Sequence, residues 1–118
     1  MEQSSNSAHH SLIGAWKLSH FEDISEQNRF KFNDILIFSQ KYYSDFQSER
    51  GTPNSSLCHV GMYRLNGKQL TFQIQQSNDP DYIGRVATGV IELKDDLLII
   101  SFSHGSRPGV WFYDRLSD

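Results

Sequence analysis

Eight short segments rich in β-branched and aromatic residues follow one another along this chain, and no stretch of ten or more residues holds a clean 3.6-residue apolar period. That pattern confines the chain to an all-β fold. The segments run at about 14–22, 30–39, 42–48, 58–65, 69–76, 83–93, 97–104 and 109–116, separated by turn-rich joints. The strongest joint is Asn66-Gly67, which suits the positive φ angles of a two-residue type I′ hairpin turn. Asp95-Asp96 marks a second tight reversal and residues 77–81 a longer loop, while Glu22 to Arg29 has room for a helical turn. Consecutive short strands without crossover helices form a meander, and eight is the smallest number that commonly closes around one small ligand. The expected fold is a single antiparallel up-and-down β-barrel of about eight strands.

At 118 residues the chain has room for one core. Residues 1–11 are polar and rich in Ser, with Asn6, Gln3, His9 and His10, and carry too little apolar surface to order themselves, so a flexible tail is expected there and the barrel over 12–118. The net charge is -3 and no stretch gathers Lys or Arg on one face, which argues against a nucleic-acid partner. The longest apolar run, Leu97 to Ile100, is far short of a membrane span. Cys58 is the single cysteine, and the N-terminus lacks the basic and apolar regions of a signal peptide, so a cytoplasmic protein without disulfides is expected.

Several chemistries lack their signatures. There is no glycine-rich phosphate loop, no spaced Cys/His zinc set and no nucleophile elbow. His59 follows Cys58 directly, so on a strand their side chains face opposite ways and cannot chelate one metal. No metal and no cofactor are expected.

Leu12-Ile13-Gly14-Ala15-Trp16-Lys17-Leu18 with Glu22, then Leu36-Ile37-Phe38-Ser39 with Tyr43-Ser44, Gly61-Met62-Tyr63-Arg64-Leu65, and finally Trp111-Phe112-Tyr113-Asp114-Arg115-Leu116 resemble the lipocalin-like branch of the calycin superfamily. The match covers most of the chain, and the Gly-x-Trp opening with the late arginine defines it best. The resemblance implies a closed end built from Gly14, Trp16 and Arg115, with the guanidinium packed over the indole, and a ligand cavity above. Fatty-acid-binding proteins share a similar opening but carry a helix pair for which this chain offers little room, and the later biotin-contact pattern of avidin-like barrels is absent. A haem-binding relative of the nitrobindin type requires an axial histidine late in the chain, where His104 stands, but the chain is short for that group. Several lipocalin-like proteins catalyse cofactor-free cyclisation or isomerisation of natural-product intermediates, so the resemblance also implies a possible activity of that type.

Side-chain alternation selects the candidate interior. If Trp16 points inward, Leu18, His20 and Glu22 share its face, with His20 and Glu22 roughly 6.6 Å apart at about 3.3 Å per residue. A histidine beside a carboxylate in a partly dry pocket suits proton transfer. Leu70, Phe72 and Ile74 form one inward row, Trp111, Tyr113 and Arg115 another, and Leu98, Ile100, Phe102 and His104 a third that brings His104 towards the mouth. The acid-base candidates are therefore His20, Glu22, Tyr63 and His104. The ligand-contact candidates are Leu18, Phe72, Ile74, Phe102, Trp111 and Tyr113. Each has a structural alternative: Glu22 paired with an arginine such as Arg85, His20 hydrogen-bonded at the rim, and the aromatic residues as core packing.

Residues 35–38 and 97–100 have no polar face, and Phe112 opposes Trp111, so large apolar side chains must also lie outside the barrel. A two-fold homodimer covering them is the expected arrangement, with the N-terminal tail or the 49–57 loop as the alternative cover. Two functions stay open. One is a cofactor-free cyclase or isomerase that folds a flexible substrate and polarises a carbonyl. The other is a carrier or sensor of a hydrophobic small molecule, which needs the lining but no positioned acid or base.

Overall fold

The structure, a computed structural model, describes residues 9–23, 32–49, 56–103 and 108–116. Eight antiparallel strands follow in order: β1 Gly14–Asp23, β2 Phe32–Phe38, β3 Tyr42–Glu49, β4 Ser56–Asn66, β5 Gln69–Ser77, β6 Val86–Lys94, β7 Leu97–Phe102 and β8 Gly109–Arg115. Each pairs with the next, and β8 pairs back onto β1, so the sheet closes into an up-and-down barrel with no free edge. The expected strand at 83–93 begins later, at Val86, because a 3-10 turn at Pro80–Tyr82 precedes it. Asp79 caps that turn by accepting from Asp81 N at 3.1 Å, and Pro80 supplies the fixed φ of a first helical position.

The hairpin between β4 and β5 differs from expectation in its type. Asn66 is the last strand residue, paired with Gln69, so Gly67 and Lys68 form the turn. Gly67 has φ 62° and Lys68 has no positive φ, which is the type II′ pattern with glycine first. Asp95 opens the β6–β7 reversal with φ 56°, a conformation its short polar side chain tolerates.

Alternation along the strands builds the interior. Leu36 and Phe38 on β2, Leu70 and Phe72 on β5, Leu98 and Ile100 on β7, and Trp111 and Tyr113 on β8 point inward and are buried. The end of the barrel near the β4–β5 and β6–β7 hairpins is packed solid around Trp16, which is 0% exposed. Residues 9–12 form a helical turn beneath it, so the ordered chain reaches back into the expected tail. The physical reason is burial: Leu12 is also 0% exposed, and its carbonyl accepts from Trp16 Nε1 at 2.9 Å. The remainder of the expected tail, residues 1–8, and most of the expected helical turn at 22–29 lie outside the described residues.

Outward rows are partly apolar. Ile37, Phe46, Val60 and Met62 are exposed on the neighbouring strands β2, β3 and β4. No helix among the described residues is long and apolar enough to cross a membrane.

Candidate functional site

At the sealed end, the Arg115 guanidinium carbon sits 4.2 Å from the centre of the Trp16 ring. Its Nη1 donates to Ile13 O at 3.1 Å and its Nη2 to Ser11 O, so one side chain binds the indole and the helical turn together. Tyr63 belongs to this end too. Its ring packs against Phe38 at 4.9 Å, its hydroxyl donates to Ser39 O at 2.6 Å, and His9 Nε2 lies 2.9 Å from the same oxygen. Burial pushes the Tyr63 phenol up to about 12. It is a group anchored in the floor, away from the cavity.

The cavity occupies the other half of the barrel and has a volume of about 200 Å³. Its apolar wall includes Leu36, Phe72, Ile74, Ile100, Phe102 and Trp111. Leu18 packs against the core cluster and does not belong to this wall. His104 lies outside the described residues.

His20 and Glu22 are placed on the outer surface, contrary to strict alternation from Trp16. A β-bulge between Leu18 and His20 shifts the register against β8, so Leu18 faces Tyr113 but His20 faces Phe112. Ser19 is the extra residue, and its Oγ donates to Phe112 O at 3.0 Å. The parity of the strand is thereby reversed: Phe21 turns inward, its ring 4.6 Å from that of Trp111. Outside, His20 lies 3.8 Å from Glu22 with side chains 62% and 59% exposed, and its ring covers Phe112 at 5.5 Å. The pair is a solvated surface contact. Glu22 does not reach Arg85, which stacks instead on Tyr82 with its guanidinium carbon 4.7 Å from the ring centre.

The polar part of the wall comes from residues that hydropathy does not pick out. Tyr43, Asp45 and Gln47 on β3 line the cavity together with His59 on β4, and Tyr82 and Arg85 stand at the mouth. Gly61 makes room for this arrangement. A Cβ there would stand 1.9 Å from Gln73 O, beside a bulge where β5 holds one residue more than β4. Asp34 on β2 is buried and accepts the hydroxyl hydrogen of Tyr113. Gln47 Nε2 lies 3.4 Å from Asp45 Oδ2.

Electrostatics follow from this burial. Desolvation, with Asp34 on the neighbouring strand, raises the Asp45 carboxyl well above the usual carboxylate range. Desolvation likewise keeps the Tyr113 phenol protonated, with Asp34 acting in the same sense. His59 is lowered by burial, partly opposed by Asp79, and its Nδ1 lies 2.9 Å from Ser77 Oγ. The interior therefore carries acids beside a neutral imidazole. Among the described residues, no group of three His, Cys, Asp or Glu is placed to hold a metal ion.

Comparison with known proteins places the fold. The chain is similar to a crystal structure of a mutant of the fluorescent protein UnaG, with a TM-score of 0.54 and 16% identity over 92% of this chain and 99% of that one. It also matches the REP1-NXSQ fatty acid transporter, with a TM-score of 0.45 and 11% identity over 92% of this chain and 98% of that one. No protein-family profile and no curated protein sequence matches. At 16% identity the likeness to the UnaG structure is one of fold alone.

Proposed function

We propose that the chain binds a small, partly apolar molecule in the upper half of the barrel and carries or senses it without turnover. The observation that carries this reading is the cavity itself, an aromatic and aliphatic wall with a few convergent polar groups, which is the composition of a ligand site. Its size sets the ligand. A volume of about 200 Å³ exceeds the roughly 150 Å³ cavity that accepts benzene but falls below the roughly 300–1,000 Å³ of drug-sized sites. A one- or two-ring body fits this range, and a long polyene or polyketide chain does not.

Catalytic cyclisation has less support. Of its candidate acid-base groups, His20, Glu22 and Tyr63 are absent from the cavity wall, and His104 lies outside the described residues. The test is native mass spectrometry of the purified protein, followed by titration of the released molecule or of a naphthalene probe into the wild type and Phe72→Ala. Retained ligand, with affinity reduced about tenfold or more by the truncation, supports the reading. Chemical conversion of the ligand by the wild type would replace it with the catalytic one.

A homodimer belongs to the same proposal. The exposed row of Ile37, Phe46, Val60 and Met62 offers an apolar patch of the kind that marks contact sites. Sedimentation equilibrium is expected to give a dimer that Phe46→Glu dissociates, and a monomeric wild type would refute it.

A further inference from the structure

Resting on that binding role, we propose that the ligand carries a single carboxylate, held at the mouth of the barrel by the Arg85 guanidinium while its ring body lies among Phe72, Ile74, Phe102 and Trp111. The backbone delivers this arginine to the mouth. Residues 82–85 form a type II turn: Arg85 N donates to Tyr82 O at 3.1 Å, Ile83 has φ -64° and ψ 128°, and Gly84 has φ 90°. The turn ends in a bulge against β5, where Gly84 N donates to Ile74 O at 2.8 Å and Ile74 N to Arg85 O at 3.0 Å. Arg85 therefore stands across from Ile74, two residues beyond the pair of Phe72 with Ala87. Ala87, Gly89 and Ile91 mark the inward row of β6, and Arg85 continues that row to the exposed rim.

The side chain is held in place while its donors stay open. The same turn sets the guanidinium on the Tyr82 ring, its carbon 4.7 Å from the centre, and the Tyr82 ring in turn meets that of His59 at 4.9 Å. A guanidinium stacked in this way keeps its N–H groups at the edge, in a planar fork that matches the two oxygens of a carboxylate. Among the described residues it forms no ion pair and no side-chain hydrogen bond, although Asp79 and Asp81 stand on the preceding turn.

The rest of the wall leaves this charge to decide the head group. Arg85 is the only Lys or Arg among the described residues that line the cavity. Burial favours the uncharged form of both Asp45 and His59, the other ionisable members of the wall besides its tyrosines. An entering molecule thus meets one full charge, and it is positive. A phosphate dianion would bring a second negative charge towards Asp79 and Asp81, whereas a carboxylate is balanced by a single guanidinium. Ala87, the smallest residue of the wall, follows Arg85 inward and leaves depth for a ring.

The experiment uses four probes with one body: 2-naphthoate, 2-naphthylmethanol, 2-naphthylmethylamine and 2-naphthyl phosphate. Each is titrated calorimetrically into the full chain at neutral pH, at low and at high salt. The naphthoate is expected to bind about three- to tenfold more tightly than the alcohol, a gain set by an ion pair at an exposed rim, and more tightly than the amine or the phosphate. High salt should shrink that advantage with little effect on the alcohol. Arg85→Gln should remove the advantage and leave the alcohol within about twofold, and Arg85→Lys should restore part of it. If the alcohol, the amine or the phosphate binds best, or if Arg85→Gln spares the naphthoate or weakens all four probes alike, the carboxylate head is refuted while the barrel remains a binding site. If none of the four binds, the binding role itself fails and this inference falls with it. The wild-type ranking and its salt dependence decide the matter even if Arg85→Gln does not fold.

Discussion

Arg115 covers the indole of Trp16 at 4.2 Å, joining the end of the last strand to the start of the first. The same guanidinium donates to the carbonyls of Ile13 and Ser11, while its contact with the exposed Asp96 adds little. Arg115→Ala removes a cation–π contact and two charge-assisted hydrogen bonds, and is expected to lower stability by about 2–4 kcal/mol. Arg115→Lys keeps the charge without the planar fork and should restore only part of this. Urea denaturation checks both, read as a fall in midpoint at constant slope.

Stability should depend on pH in two opposed ways. The raised Asp45 carboxyl is protonated in the folded chain where it is ionised in the unfolded one, so its contribution is complete below its ordinary value of 3.8 and is lost as pH rises through the folded value. The lowered His59 contributes above 6.5, and that contribution is lost as pH falls through its folded value. Asp45→Asn should therefore flatten the alkaline-side decline, and His59→Gln the acid-side one. Thermal midpoints measured between pH 4 and 9 on the wild type and each variant read out the two slopes separately.

Gly61→Ala should be among the most damaging single-methyl additions in the chain. The new Cβ would lie 1.9 Å from the backbone oxygen of Gln73 and 3.1 Å from the Tyr43 ring, so the β4–β5 pairing must open to admit it. A loss of about 2–3 kcal/mol or more is expected from overpacking against backbone. Denaturant unfolding gives the loss, and a weaker ligand affinity should accompany it because Tyr43 forms part of the cavity wall.

Replacing the outer pair should do little. His20→Ala and Glu22→Gln remove an exposed contact of 3.8 Å, and each is expected to change stability by no more than about 0.5 kcal/mol. Ligand affinity should be unchanged by either, measured with the naphthalene probes. A large effect on turnover or binding would contradict their place outside the barrel.

The fold is written in local signals that a single sequence carries: turn residues at Gly67 and Asp95, and apolar alternation along β5 and β8. Phe72 and Ile74 follow from that alternation because the extra residue of β5, Gln75, comes only after Ile74. His20 and Glu22 do not, because Ser19 looks like any other strand residue and only its pairing against β8 reveals the extra position. Asp45 was hidden by hydropathy. In 42–47 the apolar choice for the interior is Phe46, yet Phe46 is 49% exposed and Asp45 faces the cavity. Register decides this: Phe38, buried on β2, pairs with Tyr43, which fixes every second residue of β3 inward from there. Asp34 carried a usable signal, standing two residues before Leu36 on the face that Leu36 and Phe38 define.

The clamp on the floor has a kinetic corollary. Leu12 and Trp16 leave the ribosome early, but the residue that fastens them, Arg115, follows about a hundred positions later, and β1 finds its second neighbour only in β8. A nascent chain therefore holds an unsealed tube with an exposed indole until its last strand is made, and closure is a late, slow, long-range event.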